Sequence, residues 1–506
     1  MSSNNTKRIA KNTMFMYMRM ILLMFISLYS SRVLLKELGV EDFGVYNLVG
    51  SLVIMFNSLR GIFSTSTQRF LNFEMGRKNY DRLQKIFSMS IQVNFFIACV
   101  FVIAAEIFGW WFFNYKINID SSRIFAAQIV FQLTIATSVV SVMTTPFDAI
   151  IIANERLNFY AYISILEAIL KLGIIFMLPL FGIDKLILYG VLLFSVQILI
   201  RFINSIYCKV HFKESKFAIT RDRALFKEMF SFAGWSFLGN TGYSLINEGL
   251  NMVLNIYGGA VVNAARGLAY QIRYAIEQFL NSVNKAVDPF AVKTFAKEDV
   301  DTFYKVHFLM SKILYFVYLA IALSLYMNTE NVLNLWLPVI PKYTIIFVQL
   351  ILINGLIRSL GHPLNLLFEA ANEVKYYHIR NIIVNILLFL SGIAVLELGF
   401  PYESVFVVMV IFSFIQWFTM IIQAKILCDF PLKSYLTRVV IPLIIHTALS
   451  IVWGVLVFKA LEFISYGWLI GIIVLTMLMT VQCYLVVFND FEKDKVKIII
   501  HRNKKE

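Results

Sequence analysis

The run GWSFLGNTGYSLINEGLNMVLNIYGG, Gly234–Gly259, continues into AVVNAARGLAYQIRYAIEQ, Ala260–Gln278, and its reading decides the fold. Each half is apolar over about 20 residues, the length that crosses a bilayer as a helix. The pair Gly258-Gly259 separates them, so two spanning helices joined by a glycine turn are expected. Both halves nonetheless carry a polar residue at nearly every turn. Asn240, Ser244, Asn247, Asn251 and Asn255 recur at spacings of three and four, as do Arg266, Tyr270, Arg273 and Glu277. Such spacing places each set on one helical face. Lipid cannot satisfy these groups, so the two stripes face protein or water. The expectation is that they line a route through a transporter.

The composition supports a membrane setting. Of the 506 residues, 59% are hydrophobic and 15% charged, with a mean hydropathy of +0.73. A soluble chain of this length carries far more charge. Met1–Lys11 is polar and basic, but no small-residue cleavage site follows the first apolar run. That run is read as a retained helix, not a signal peptide. A net charge of +14 raises the question of nucleic acid. The Lys and Arg residues lie mostly in short loops between apolar runs, which is the membrane pattern, and no nucleic-acid partner is expected. Cys99, Cys208, Cys428 and Cys483 lack the spacing of a disulfide framework or metal site, so neither a metal nor a cofactor is expected.

The length rule gives fourteen candidate spans. They are 12–34, 44–65, 86–110, 124–147, 161–181, 186–207, 229–255, 261–284, 306–327, 343–367, 380–398, 404–426, 439–458 and 466–488. With the N-terminus placed in the cytoplasm, cytoplasmic segments hold 30 Lys and Arg and the opposite side 7. This bias puts both termini in the cytoplasm. The expected fold is an all-α polytopic membrane protein with about 14 transmembrane helices. They form two pseudo-symmetric six-helix lobes, 1–208 and 229–427, joined by a basic cytoplasmic linker, 209–228. Two extra spans and a basic tail fill 428–506.

The lobes are expected because the halves repeat. Pro146-FDAIIIANERLNFY matches Pro363-LNLLFEAANEVKYY, each bringing Ala-Asn-Glu soon after a membrane proline. Phe70-LNFEMGRKNYDRLQK pairs with Phe290-AVKTFAKEDVDTFYK, where Arg77, Asp81 and Lys85 fall on Lys297, Asp301 and Lys305 at an offset of 220. Paired spans run in the same direction, so the repeat is parallel, the arrangement of two bundles rocking about a central site. Pro146 and Pro363 should kink their helices, with neighbouring groups satisfying the freed carbonyls.

Ionisable residues within spans are costly and mark candidate sites. Inward of the span ends lie Arg19, Arg60, Arg266, Arg273 and Arg358 against Glu248 and Glu277. An excess of guanidinium suits an anionic cargo, because Arg grips phosphate bidentately. The candidate cavity set is Arg19, Arg60, Asn240, Asn247, Glu248, Asn251, Arg266, Arg273 and Glu277. Glu248 either pairs with Arg266 or Arg273 across the hairpin or takes up a proton for ion coupling. His362, four residues after Arg358, is the second coupling candidate. Glu167 and Lys171, four apart, read as a structural ion pair. Arg32 and Arg201 lie near span ends and are expected to snorkel.

These features together resemble a known family. Two parallel six-helix halves, the stretch LKELGVEDFGVYNLV at Leu35–Val49, and STSTQRFLNFEMGRKNYDRLQKIFS at Ser64–Ser88 are similar to the polysaccharide flippase branch of the multidrug/oligosaccharidyl-lipid/polysaccharide (MOP) exporter superfamily. The resemblance covers essentially the whole chain. It implies translocation of an undecaprenyl-diphosphate-linked glycan across a bacterial inner membrane for O-antigen or other surface polysaccharide. It implies membrane lipid, polymerases and glycosyltransferases as partners. It also implies a cavity lined by spans one, two, seven and eight. Lipid II flippases share the fold and carry arginines in the first span, so that cargo stays open. The drug/cation antiporter branch has an acidic residue there, where this chain has Arg19. Neither a GxxxxGK[ST] sequence nor an acid/base pair in a long outer loop is present, so an ATP-driven pump and a membrane enzyme are not expected.

Overall fold

The computed structural model describes residues 3–76, 80–154, 156–296, 300–371, 373–489 and 492–493. Their side chains are described except for 3–17, 52–66, 69, 72–73, 76, 80, 157, 231–245, 282–283, 285–296, 300–301, 370 and 374. Among the described residues the chain is helical and contains no strand. The helices are α1 (Ser3–Gly76), α2 (Tyr80–Tyr115), α3 (Ile124–Met143), α4 (Thr145–Ala153), α5 (Leu157–Met177), α6 (Lys185–His211), α7 (Arg223–Ala296) and α8 (Val300–Met327). There follow α9 (Thr329–Trp336), α10 (Thr344–Ser359), α11 (Gly361–Ala370), α12 (Val374–Glu397), α13 (Ser404–Cys428), α14 (Leu432–Tyr435), α15 (Ile441–Ala460) and α16 (Gly467–Gln482). Two compact units result: 1–268 with 336–342, and 269–335 with 343–506.

Among the described residues, eleven helices are long and apolar enough to cross a membrane. They coincide with the expected spans except the second, seventh and eighth. Those three fall on α1 beyond Gly39 and on α7, which are helical. The eighth carries Arg266, Arg273 and Glu277 within its length, which lowers its hydropathy below that of its neighbours. Helices of both units expose large apolar side chains. Ile107, Phe202, Leu390, Phe414, Ile444 and Met477 are each more than half exposed. Such surfaces require lipid.

α1 and α7 are each 74 residues long, and each is helical but for one glycine, Gly39 or Gly259. Both glycines have positive φ, 79° and 73°. L-residues avoid this region and glycine adopts it without strain, so the expected Gly258-Gly259 turn reduces to a single residue. Ser3 and Arg223 begin these helices 220 positions apart, and Gly76 and Ala296 end them at the same offset. The structural repeat thus keeps the register read in the loops.

The expected proline kinks are breaks. α3 gives way to α4 at Thr144, two residues before Pro146, and α10 to α11 at Leu360, three before Pro363. Pro146 has no N–H to offer the carbonyl four residues earlier, which belongs to Val142. Asn94 of α2, buried in the first unit, donates its Nδ2 to that oxygen at 3.1 Å. Thr144 and Thr145 hydroxyls donate to Val140 and Ser141 at 2.8 and 3.1 Å.

Each unit has its own apolar core. In the first, Leu71, Phe87, Ile150 and Cys208 pack at one end, and Leu48, Phe112, Val130 and Leu186 at the other. In the second, Phe303, Leu364, Phe368, Met420 and Tyr435 pack together. A charged clasp ties the ends of three segments in the first unit. Arg123 Nε and Nη2 donate to Asp42 at 2.7 and 2.6 Å, and its Nη1 to Asp184 at 2.5 Å. Asp184 also caps α6 through the Leu186 and Ile187 amides. Burial works against ionisation of Asp184, but Arg123 and these two amides outweigh it and hold the carboxyl below the usual range.

Candidate functional site

The polar stripe of α7 folds into a buried network. Residues on either side of Gly259 meet, as an antiparallel hairpin requires. Asn263 Nδ2 donates to Asn251 O and Oδ1 at 2.9 and 2.8 Å. Asn255 Nδ2 donates to Asn263 Oδ1 at 2.8 Å. Deeper along the hairpin, Arg266 Nη1 lies 3.6 Å from Glu248 Oε2, and its Nη2 donates to Asn247 O at 2.8 Å. Asn247 Nδ2 donates to Glu248 Oε1 at 3.1 Å. Asn247, Glu248, Asn251, Asn255, Asn263 and Arg266 are all buried. Fully paired and hydrogen-bonded, the two opposite charges are compatible with this depth.

The tip of the hairpin is fastened to the loop between α2 and α3. Asn118 N donates to Asn255 Oδ1 at 3.1 Å, its Nδ2 to Ile256 O at 3.3 Å, and Asn255 Nδ2 returns a bond to Asn118 O. Alongside, the stretch after Gly39 packs directly on α7. A Cβ on Gly44 would overlap the Ala260 carbonyl, and one on Gly267 would come within 2.5 Å of Asn47 Oδ1. Side chains larger than hydrogen cannot be accommodated at these two positions without movement.

In the second unit, Arg273 Nε donates to Glu277 Oε1 at 2.8 Å, and the guanidinium lies 5.2 Å from the centre of the Tyr270 ring. Arg273 is 3% exposed and Glu277 33%, so the pair has a covered cation and a partly open anion. Tyr270 donates its hydroxyl to Met409 Sδ at 3.9 Å. His362 is half-buried at the second position of α11, next to Pro363. The side chains of Arg60, Asn240 and Ser244 lie outside the described residues.

Arg19 belongs to a different neighbourhood of the first unit. Its Nη2 donates to Ser164 Oγ at 2.9 Å, and its guanidinium lies 4.9 Å over the Tyr160 ring, both on α5. Lys171 Nζ donates to Glu167 Oε1 at 2.6 Å, the ion pair their spacing implies. Arg201 differs from the expectation that it snorkels. It is 7% exposed, and its Nη1 donates to both carboxylate oxygens of Asp148 at 3.1 and 2.8 Å. A buried counter-charge on the neighbouring helix removes the reason to reach for water.

Sequence reading missed four participants. Asn263 joins Asn251 to Asn255, and its place three residues before Arg266 on the same face was the available signal. Asp148 lies one residue past the expected end of its span, which hid it. Lys312 and Glu492, both buried, pair at 2.7 Å across 180 residues, and no local pattern announces such a contact.

No family model matches the chain, and no curated protein matches it by sequence. Solved structures do resemble it. One is the lipid II flippase MurJ in an inward closed conformation, with a TM-score of 0.70 at 15% identity, covering 96% of this chain and 100% of that one. Another is an inward-facing multidrug resistance MATE family transporter of the MOP superfamily, with a TM-score of 0.68 at 14% identity, covering 81% and 95%. A third is a MOP superfamily transporter from Pyrococcus furiosus, with a TM-score of 0.59 at 13% identity, covering 84% and 96%. At this level of identity the likeness concerns the fold: this chain is folded as MOP-superfamily transporters are.

Proposed function

We propose that this chain is a flippase that carries a lipid-diphosphate-linked oligosaccharide across the bacterial inner membrane by alternating access, for surface polysaccharide assembly. The observation that carries the reading is the arginine-bearing polar stripe of α7, buried in a fold shared with solved transporters. A soluble or purely structural role gives no reason to keep Arg266 and Arg273 at that depth, where each cation must be offset by a carboxylate. Guanidinium suits a diphosphate because its planar fork matches phosphate oxygens. In this reading Arg19, Arg60, Arg266 and Arg273 meet the cargo's charge, and Asn240, Asn247 and Asn251 meet its hydroxyl groups. Glu248 and Glu277 keep the arginines poised between cargo states. Two parallel six-helix halves with fourteen spans and cytoplasmic termini complete the proposal, together with polymerases and glycosyltransferases acting on the same lipid-linked glycan.

One neighbour supports a related cargo. The solved structure covering the largest share of this chain among those above is a lipid II flippase, so a peptidoglycan precursor is the second reading. A cellular measurement tests both: the leaflet distribution of each lipid-linked glycan, with and without the chain. The proposed reading expects oligosaccharide precursors to accumulate in the inner leaflet on depletion while lipid II is unaffected. Accumulation of lipid II alone favours the second reading, and an unchanged distribution of both contradicts flipping.

A further inference from the structure

The basic linker between α6 and α7 lies wholly within the first unit, and its course is set by α2. After Ser215 the chain is extended, with Lys216 at φ −77° and ψ 121°. Lys216 O accepts from Gln84 Nε2 at 3.2 Å, and Ala218 N donates to Ser88 Oγ at 3.1 Å. With its amide turned to suit both groups, Gln92 donates to Thr220 O at 3.0 Å and accepts from Thr220 N at 2.8 Å. Every second linker residue thus meets every fourth residue of α2. The two repeats agree in length: two extended residues advance about 6.6 Å, and four helical residues about 6 Å. The linker therefore runs along α2 as an extended strip and enters the depth of the third expected span, 86–110. Gln92 lies six residues past the start of that span, about 9 Å along the helix.

Side chains alternate about an extended chain. The two that fall between the contacts with α2, Phe217 and Ile219, are 52% and 79% exposed. The apolar surface continues on neighbouring turns: Phe96 of α2 and Phe230 of α7, both exposed, meet with ring centroids 6.0 Å apart. Charge is interleaved with it. Lys209, Lys213, Lys216, Arg221, Arg223 and Lys227 are all exposed. The acidic residues of the same stretch are Glu214, Asp222 and Glu228, and Asp222 caps α7 through the Leu225 amide at 3.0 Å. The linker thus carries an excess of three positive charges.

A segment that sinks apolar side chains about 5–10 Å below the headgroups, with cations above them, is built for an anionic membrane surface. Each Lys or Arg held near such a surface strengthens binding by about fivefold. We propose that this linker is a docking surface for anionic glycerophospholipid. Phe217 and Ile219 sit among the acyl chains, while Lys216, Arg221 and Arg223 hold headgroup phosphates and draw anionic lipid in preference to zwitterionic lipid. Interfacial segments of this kind are commonly amphipathic helices. Here an extended strip serves, because side chains of α2 satisfy the backbone groups that a helix would satisfy internally. The surface rests on the membrane setting of the chain and is independent of its cargo.

The test places a bimane label at Ile219→Cys in the full-length chain, with Cys99 and Cys428, the accessible cysteines, replaced by Ser. The chain is held in nanodiscs of phosphatidylcholine and phosphatidylglycerol in equal amounts, with bromine on the acyl chains of one lipid or the other. Quenching is expected to be about twofold or more greater when phosphatidylglycerol carries the bromine, and equal for the two lipids in Lys216→Gln/Arg221→Gln/Arg223→Gln. If that variant fails to fold, salt at about 1 M decides on the unsubstituted linker, where screening should remove the difference. Equal quenching by the two lipids before any substitution would leave an apolar contact without headgroup recognition and overturn the proposal. Quenching by neither, as when water or a polypeptide covers the linker, overturns it too, as does a preference that survives both neutralisation and salt. The readout needs no transport, so its failure is separable from a failure of the flippase reading.

Discussion

Gly39 and Gly259 adopt the same left-handed conformation, φ 79° with ψ 173° and φ 73° with ψ −172°, at positions 220 apart. Each divides a 74-residue helix into two segments, so one non-helical residue per half does the work of a loop. Replacing either with Ala forces a side chain into a region that costs of the order of 1–3 kcal/mol. Gly50 and Gly173 are helical glycines with open space around them, where Ala gains up to about 1 kcal/mol of helix propensity. Thermal unfolding in detergent should therefore fall for Gly39→Ala and Gly259→Ala and hold or rise for Gly50→Ala and Gly173→Ala. Equal shifts across the four would contradict the turn assignment.

Glu248 and Arg266 make the second prediction. Removing one member of a buried pair strands the other charge, at a cost of about 3–5 kcal/mol. Glu248→Gln alone should lower membrane abundance or thermal stability, and Glu248→Gln with Arg266→Gln should recover part of the loss. A purely coupling role for Glu248 gives the opposite pattern: a stable single variant that has lost its response to a proton or sodium gradient, with no recovery in the double. A double-mutant cycle in stability and in gradient response separates the two.

The break at Pro146 supplies a third. Asn94 Nδ2 meets the carbonyl of Val142 that the proline leaves unserved. Asn94→Leu removes the side-chain donor from that carbonyl, worth about 1–3 kcal/mol. Ser195→Ala removes a bond only to the residue's own helix, at an exposed position, and should change little. Comparable effects of the two on the melting temperature would remove Asn94 from this role.

Eleven of the expected spans, among the described residues, were legible from the sequence because they rest on one simple signal, apolar length. The turn at Gly259 and the register of 220 followed from local chemistry alone, whereas the prolines, read as kinks, sit at helix breaks. The hairpin was legible in part: spacing placed Asn247, Asn251 and Asn255 on one face and Arg266 on another, and the reach of a long Arg side chain across the turn allowed Glu248 to meet Arg266. Pairings between distant segments were not legible. Arg201 with Asp148, Lys312 with Glu492, and Arg19 with Ser164 depend on which helix faces which, and a single sequence does not encode that in any local period. Arg19 was therefore grouped with the hairpin arginines on charge, whereas its described contacts are with α5.

Topology carries a fourth prediction. Reporter fusions after Arg82, Lys213, Lys297 and Lys433 should report the cytoplasm, and fusions near Lys116 and Lys342 the opposite face, because basic loops stay inside. One reversed site among the six would break the fourteen-span arrangement and with it the parallel repeat.

The central claim is that the chain itself moves a lipid-diphosphate glycan and that Arg273 meets the diphosphate. Its most direct test is leaflet transfer in liposomes holding only the purified chain and a labelled undecaprenyl-diphosphate oligosaccharide, with outer-leaflet label read by an impermeant quencher. The account predicts transfer well above protein-free liposomes with wild type, none above that background with Arg273→Ala, and partial transfer with Arg273→Lys, which keeps the charge but loses the bidentate fork. Wild-type transfer no faster than in protein-free liposomes, or full transfer by a correctly folded Arg273→Ala, would contradict it.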